Sequence, residues 1–377
     1  MQGYNHLEVN LFAVGQNIDK LQTHCQVMAM VKANAYGAGA IAIAKFLETR
    51  NIQIFGVSHL SEALALREAG ITAEICTIFA ALDQYELVAL HNVQICLSNL
   101  AECRALENVA KAHNKKIKVH LHIDTGMKRF GALPADALAL ANAICDSPWL
   151  TFYGAMTHLI GSSDPTFDPI SKRQISSFFA LLSQFKRRPA LVHVANSAAA
   201  RRFDLQGTNM TRIGLAYLGL HSNPIENQGL GLTPALKLTS TLAFINEGSQ
   251  GDGVGYYHSY RIAQKQGRIG VVAIGYHDGF GNFLAQDGYV MIRNKRAKIL
   301  SKICMDFTLV DLTDIPNARV GDSVTLFDQN LTAEEVARWG KLNVREFLSK
   351  LGPRVKRKYT YEESRHAREQ EKIHTVV

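Results

Sequence analysis

Several absences bound this 377-residue sequence before anything in it is read. The six cysteines, Cys25, Cys76, Cys96, Cys103, Cys145 and Cys304, form no CxxC pair and no metal-ligand spacing. That excludes a disulfide scaffold and a zinc module, and four of the six sit in apolar runs where a thiol behaves as a small hydrophobe. A reducing compartment follows. No stretch reaches the ~18 apolar residues of a membrane span. The opening MQGYNHLEVN has no basic flank ahead of an apolar run, so no export signal is expected and the cytoplasm is the expected location. Only 20% of residues are charged, and no heptad or repeat is sustained, which excludes a disordered chain and a coiled coil. An early glycine fingerprint of the dinucleotide-binding kind is also missing, which argues against a doubly wound sheet.

The formal charge of +8 draws partly on Lys350, Arg354, Lys356, Arg357 and Lys358 near the C-terminus. No aromatic platforms are interleaved with them, so they read as a solvated face, and neither nucleic acid nor membrane is expected as a partner.

What is present is a run of alternating elements. Apolar, strand-like segments fall at Val27–Val31, Ile54–Val57, Ile75–Phe79, Val93–Leu97, Ile117–Ile123, Phe152–Met156, Leu191–Val194 and Ile213–Leu218. Amphipathic helical segments such as Ser61–Ala69, Ala101–Ala112, Ala135–Cys145 and Ser171–Phe185 lie between them, each long enough to cross between parallel strands. Eight such units in about 220 residues predict an α/β fold, a (β/α)8 TIM barrel. After Gly219 strands alternate with Gly/Asp/Asn turns, and one helix opens on the Thr332/Glu335 capping box, predicting a mostly antiparallel β domain. The expected organisation is a strand-like lead-in over 1–14 that can join either domain, a barrel over 15–225 and a β domain over 226–377.

Functional groups of a parallel barrel gather where its strands end. Here those positions hold Lys32 and Tyr36 after the first strand, Arg129 after the fifth and His158 after the sixth. Asn196 and Ser197 follow the seventh, and Arg212 opens the eighth run. One lysine, two arginines, a histidine and small hydroxyl groups suit an anionic cofactor held covalently by an amine. Lys32 ends the apolar run VMAMVK. Such a lysine either snorkels into water or, if desolvated, has its pKa lowered and becomes a nucleophile.

The stretch AMVKANAYGAG around Lys32 resembles the cofactor-lysine motif of alanine racemases. SEALALREAGI, HLHIDTGMKRFG, HVANSAAA, TRIGLAYLGL, GDGVGYYHSY, AIGYHDGF, ICMDF and GPRVKRKY follow in that family's order. The resemblance implies an isomerase that interconverts L- and D-alanine with pyridoxal 5'-phosphate, for D-alanine supply to peptidoglycan precursors. It implies Lys32 as cofactor lysine and one base, and Tyr256 as the opposite base, reaching the site from the second subunit of a homodimer. Inverting a stereocentre needs a proton removed from one face and one delivered to the other. The same resemblance places Arg212 against the cofactor's pyridine nitrogen and His158 near its ring. Tyr36, Ser197 and the N–H groups of Gly214 and Leu215 then hold the phosphate. Arg129 and, from the second subunit, the backbone of Met305 meet the substrate, a small amino acid, and Tyr276 lies near the entrance. No metal is implied.

Three positions depart from the family's pattern. His122 stands where many members carry a carbamylated lysine, Pro353 where some place a phosphate-touching tyrosine, and Tyr257 where a glycine is usual. A racemase for serine or another small amino acid, and a non-catalytic cofactor carrier, remain alternatives to the alanine enzyme; one added hydroxyl is rejected only about 100-fold by an apolar pocket.

Overall fold

The computed structural model describes residues 3–22, 25–223, 229–285 and 288–361. The chain divides into two compact units, one built on Asn17–Tyr217, the other on the N-terminal segment through Gln16 and the chain from Thr233 onward.

The N-terminal strand β1 (His6–Asn10) belongs to the second unit. The barrel follows as β2 (Gln26–Met30), β3 (Ile54–His59), β4 (Glu74–Phe79), β5 (Gln94–Leu97), β6 (Ile117–His122), β7 (Leu150–Met156), β8 (Leu191–His193) and β9 (Met210–Ile213). All pair in parallel in the order β8-β7-β6-β5-β4-β3-β2-β9. The seam between β8 and β9 is drawn together by a parallel bridge from Asn196 to Arg212 and by the Arg212 N–H donating to the Ala195 carbonyl at 3.0 Å. This is the (β/α)8 barrel that the spacing of apolar runs implies.

Sulfur and branched side chains fill the interior: Met28, Met30, Ile54, Cys76, Cys96, Met156, Leu191 and Met210 form one buried cluster. Each methionine, isoleucine and leucine among them is worth about 1.5–3 kcal/mol of burial. Gly56 makes room for two of them, since a Cβ there would lie 2.4 Å from Met30 Sδ. All six cysteines are free thiols.

One strand differs from expectation. Ile213–Leu218 is not a strand; β9 lies earlier, at Met210–Ile213, and Leu215–Leu218 is a 3-10 turn. Gly214 ends the ladder, and apolar content alone cannot separate a buried strand from a buried turn. Arg212 therefore sits inside the last strand, not at the start of a later one. The lead-in also turns helical early, with Leu11–Leu21 a helix rather than strand continued to Val14.

The second unit is built on the long strand β10 (Leu236–Ser249), followed by β11 (Gly253–Val254), β12 (Tyr260–Arg261), β13 (Gln266–Val272), β14 (Tyr289–Ile292), β15 (Lys295–Lys298), β16 (Thr308–Asp311), β17 (Ser323–Phe327) and β18 (Lys356–Thr360). A register shift between Leu242 and Phe244 divides β10, which pairs with β17 on one side of the shift and continues along β13 beyond it. Pairing is antiparallel except for β1 with β18. Thr332 caps its helix, accepting the Glu335 N–H at 3.2 Å, but the predicted box is only half formed, because Glu335 Oε1 accepts instead from the Tyr289 hydroxyl at 2.9 Å. A second helix, Val344–Ser349, was not legible and is capped by Asn343.

The C-terminal basic cluster is only partly a solvated face. Arg354 donates from Nε and Nη2 to the buried Asp278 carboxylate at 2.8 and 2.9 Å, and from Nη1 to Asp306 at 2.7 Å. Arg357 donates to the carbonyls of Leu351, Gly352 and Val355. Those two cations are tied into the fold, because the backbone turns beside them offer acceptors the sequence does not show.

Candidate active site

Lys32 stands half-buried at the exit of β2, and the backbone after it reverses hand. Ala33, Asn34, Ala35 and Tyr36 take φ of 50°, 54°, 51° and 55°, a left-handed turn of four non-glycine residues. At about 1–2 kcal/mol each, that conformation costs roughly 4–8 kcal/mol before compensation. Hydrogen bonds offset it: Ala35 N–H to Val31 O at 2.8 Å, Gly37 N–H to Ala33 O at 3.0 Å, Gly39 N–H to Asn34 O at 2.9 Å and Ala40 N–H to Asn34 Oδ1 at 2.8 Å. Gly37 and Gly39, at φ 84° and 104°, release the chain into the next helix. The turn brings the Tyr36 hydroxyl against Gly214, where an added Cβ would lie 2.1 Å from that oxygen.

His158, two residues past β7, is the electrostatic centre of the rim. Burial, then the positive charges of Arg212, Arg129 and Lys32 and the His122 ring, hold its pKa down to about 2. The ring is therefore neutral at physiological pH, and Lys32, Arg129, His158 and Arg212 all stand at or just past the C-terminal ends of barrel strands, those of β2, β6, β7 and β9.

Arg212 is almost fully buried and held from several sides. Nη1 donates to the His193 carbonyl and lies 3.2 Å from His193 Nδ1, while Nη2 donates to the carbonyls of Thr157 at 2.8 Å and Val194 at 3.2 Å. Burial lowers its pKa to about 10, so it stays protonated at neutral pH. Its Nε–H has no hydrogen-bond partner among the described residues. Behind it, His193 Nε2 lies 2.8 Å from His120 Nδ1, and His120 Nε2 lies 2.7 Å from Gln94 Oε1. Burial drives both imidazoles well below the usual histidine range, His120 to about 3. With Gln94 Oε1 accepting, each ring donates from Nε2 and accepts at Nδ1, so the Arg212 guanidinium is the donor at the head of the chain.

Arg129 lies exposed on the loop after β6. Asp124 shapes that loop by accepting the N–H groups of Gly126 at 2.8 Å and Lys128 at 2.9 Å. Burial opposes the carboxylate's charge, but those amides prevail and hold its pKa below the usual range. Gln174, from the helix Asp168–Leu182, donates to Thr125 Oγ1 at 3.2 Å and the His158 carbonyl at 3.1 Å, and accepts the Ile160 N–H at 3.1 Å. One buried amide thus ties the Arg129 loop to the His158 loop. His122 is buried with Nδ1 unpartnered among the described residues; burial, then Arg212 and Arg129, lower its pKa to about 4. It offers Arg129 a neutral ring and no anion.

Ser197 lies half-buried between Asn196 and the short helix Ala199–Arg202. Gly214 and Leu215 are buried, and no described group takes up their N–H groups.

The remaining sequence candidates belong to the second unit. Tyr256 opens a 3-10 turn after Gly255, whose φ is 72°, and its side chain is 59% exposed. Tyr257 beside it is 91% exposed, with Lys302 Nζ 5.7 Å from its ring centre. Met305 and Tyr276 are exposed on adjoining turns, joined by Tyr276 N–H to Cys304 O at 3.0 Å and His277 N–H to Met305 O at 3.1 Å. The Arg354 guanidinium, gripping Asp278 and Asp306, braces both turns.

A parallel barrel with a lysine, two arginines and a neutral histidine at the C-terminal ends of its strands, followed in the same chain by an antiparallel β unit, has the architecture of a barrel enzyme. Residues 9–222 match the family described as alanine racemase, N-terminal domain, and residues 235–359 the alanine racemase C-terminal domain. The chain belongs to the alanine racemase family, isomerases that act on amino acids. It is 31% identical to the alanine racemase of Geobacter sulfurreducens, covering 95% of this chain and 98% of that one. Among solved structures it resembles alanine racemase from D-cycloserine-producing Streptomyces lavendulae, with a TM-score of 0.90 at 27% identity over 97% of this chain and 99% of that one. The Bacillus anthracis enzyme with bound L-Ala-P superposes with a TM-score of 0.87 at 28% identity, covering 96% of each chain.

Sequence reasoning missed the residues that hold the mouth in place. Gln94, His120 and His193 come from three separate strands, and although HLHIDTGMKRFG and HVANSAAA contain the two histidines, nothing in either assigns them a role. Gln174 sits in an amphipathic helix where nothing marks it from a surface glutamine.

Proposed function

We propose that this chain interconverts L- and D-alanine with pyridoxal 5'-phosphate held on Lys32. It works in the cytoplasm as a homodimer in which each barrel takes Tyr256 from the partner subunit. The observation that carries the reading is the buried Arg212 of β9, the strand that pairs with β2, whose end carries Lys32; the carbonyls of His193, Thr157 and Val194 hold it, in a barrel of the alanine racemase family.

The donor set fits the cofactor. The N–H groups of Gly214 and Leu215, with the Tyr36 and Ser197 hydroxyls, supply donors for a phosphate, and Gly214 has the bare backbone that close approach needs. The unpartnered Nε–H of Arg212 suits a pyridine nitrogen, and because arginine stays protonated it donates there without giving up its proton. When bound, the cofactor supplies the electron sink that makes an amino acid's α-proton acidic.

The chain's own residues do the rest. Lys32 Nζ takes or gives the α-proton on one face. The Tyr256 hydroxyl does so on the other, as inversion requires. Arg129 binds the substrate carboxylate through its guanidinium fork. His158, held neutral, supports the cofactor ring without adding charge. Met305 of the partner subunit offers its backbone N–H to substrate, its carbonyl being engaged by His277. Tyr276 limits substrate size at the entrance.

Incubation with L-alanine in deuterated water tests this. D-alanine carrying deuterium at the α-carbon is the expected product, and recovery of unlabelled L-alanine alone would refute it. The same incubation with L-serine ranks the two substrates.

A further inference from the structure

We propose that Glu62 is a positioning residue that sets the place of Lys32. This rests on the reading of Lys32 as the cofactor lysine. Glu62 lies on the helix Leu60–Glu68 that follows β3, outside every family-derived role assigned above. Its Oε1 accepts the Ala33 N–H at 2.6 Å, and its Oε2 accepts the N–H groups of Ser58 at 2.9 Å and His59 at 3.2 Å. Ala33 is the residue directly after Lys32 and the first of the left-handed turn. Later amides of the turn find acceptors within it, at Val31, Ala33 and Asn34. Its first amide is held from outside, by this carboxylate. One side chain therefore clamps the exit of β2 to the corner where β3 becomes helix, at the point where the chain takes its costly hand.

The barrel contains its own control. Ser58-His59-Leu60-Ser61-Glu62 has a counterpart two strands on, Ser98-Asn99-Leu100-Ala101-Glu102. Glu102 Oε2 likewise accepts its corner amide, Ser98 N–H, at 2.7 Å. Its Oε1 is spent locally, accepting from Asn99 Nδ2 at 2.7 Å. Glu62 makes the same helix-start contact but diverts its second oxygen to the neighbouring strand that carries the lysine. Helix capping explains one oxygen of Glu62, and the position of Lys32 explains the other.

The test compares wild type, Glu62→Ala, Glu62→Gln and Glu102→Ala, each loaded with pyridoxal phosphate. Three readouts are followed: the absorption maximum of the lysine-bound cofactor, the rate of cofactor loss, and kcat and KM for alanine. A fourth, the labelling rate of Lys32 by an amine reagent, is read on cofactor-free protein. Loss of a charge-assisted hydrogen bond at the turn is expected to speed cofactor loss and lower kcat about tenfold in Glu62→Ala, with KM little changed. Lys32 labelling and the absorption maximum shift with it. Glu62→Gln, which keeps the side chain's size and fold but offers one acceptor oxygen for three amides, shows the same changes in smaller degree. Glu102→Ala loses comparable resistance to urea but keeps the wild-type cofactor readouts. Unchanged cofactor loss and Lys32 labelling in both Glu62 variants would overturn the assignment, as would equal effects from Glu102→Ala. Wild type that attaches no cofactor to Lys32 would instead overturn the functional reading on which it rests.

Discussion

Acid should unfold the barrel steeply, and the reason is histidine rather than carboxylate. His120, His122, His158 and His193 are all held well below the ordinary histidine pKa, chiefly by burial, with Arg212 adding to each. The first three lie at about 3, 4 and 2. A histidine depressed in the folded state takes up its proton only when the chain unfolds, so stability is full above the unfolded pKa near 6.5 and falls as pH drops below it. Integrating one such site from pH 6.5 to 5.5 gives a loss of about 1 kcal/mol, and four give about 4 kcal/mol. Against a total stability of about 5–15 kcal/mol, that is a large share over a single pH unit. Carboxylates contribute little here, since they titrate lower. The assay is equilibrium urea unfolding of the barrel followed by far-UV circular dichroism at pH 7.0, 6.5, 6.0 and 5.5, with proton uptake measured in parallel. Nearly four protons bound on unfolding at pH 5.5 are expected. Uptake of about one proton, or a stability loss under about 1 kcal/mol, would refute the claim that these rings are neutral and buried.

Other consequences follow from single contacts. Gly214→Ala places a methyl group 2.1 Å from the Tyr36 hydroxyl, so Tyr36 must move. Pyridoxal phosphate should bind about tenfold or more weakly in a fluorescence titration, the worth of roughly one strong phosphate contact. Gln174→Leu removes three hydrogen bonds between the loops that carry Arg129 and His158 and leaves buried partners unpaired. A loss of about 2–4 kcal/mol in urea unfolding is expected, together with a raised KM for alanine.

The barrel was legible because strands buried on both faces read as short continuous apolar runs, and helices between them keep their 3.6-residue pattern. The eighth unit misled for the same reason. Leu215–Leu218 is as apolar as a strand, whereas the true strand carries Thr211 and Arg212. Lys32 and Arg212 stood out in the sequence because strand ends of a parallel barrel are where function collects, and because their surrounding motifs resemble a known family. The left-handed turn after Lys32 could not: Ala-Asn-Ala-Tyr carries no glycine, and alanine's helix preference says nothing about hand until hydrogen bonds from elsewhere fix it. Glu62 is the second residue of the predicted helical segment Ser61–Ala69, with nothing to mark it, and its partner Ala33 lies 29 residues away in sequence. Arg354 likewise looked solvated in a run of cations, since the Asp278 it grips is 76 residues distant.

The most direct measurement is borohydride reduction of the protein incubated with pyridoxal phosphate, followed by peptide mass mapping. The account predicts one stable cofactor adduct per chain, on the peptide that contains Lys32, and none in Lys32→Ala. An adduct fixed mainly on another lysine, such as Lys128 or Lys302, or no adduct at all, would contradict it.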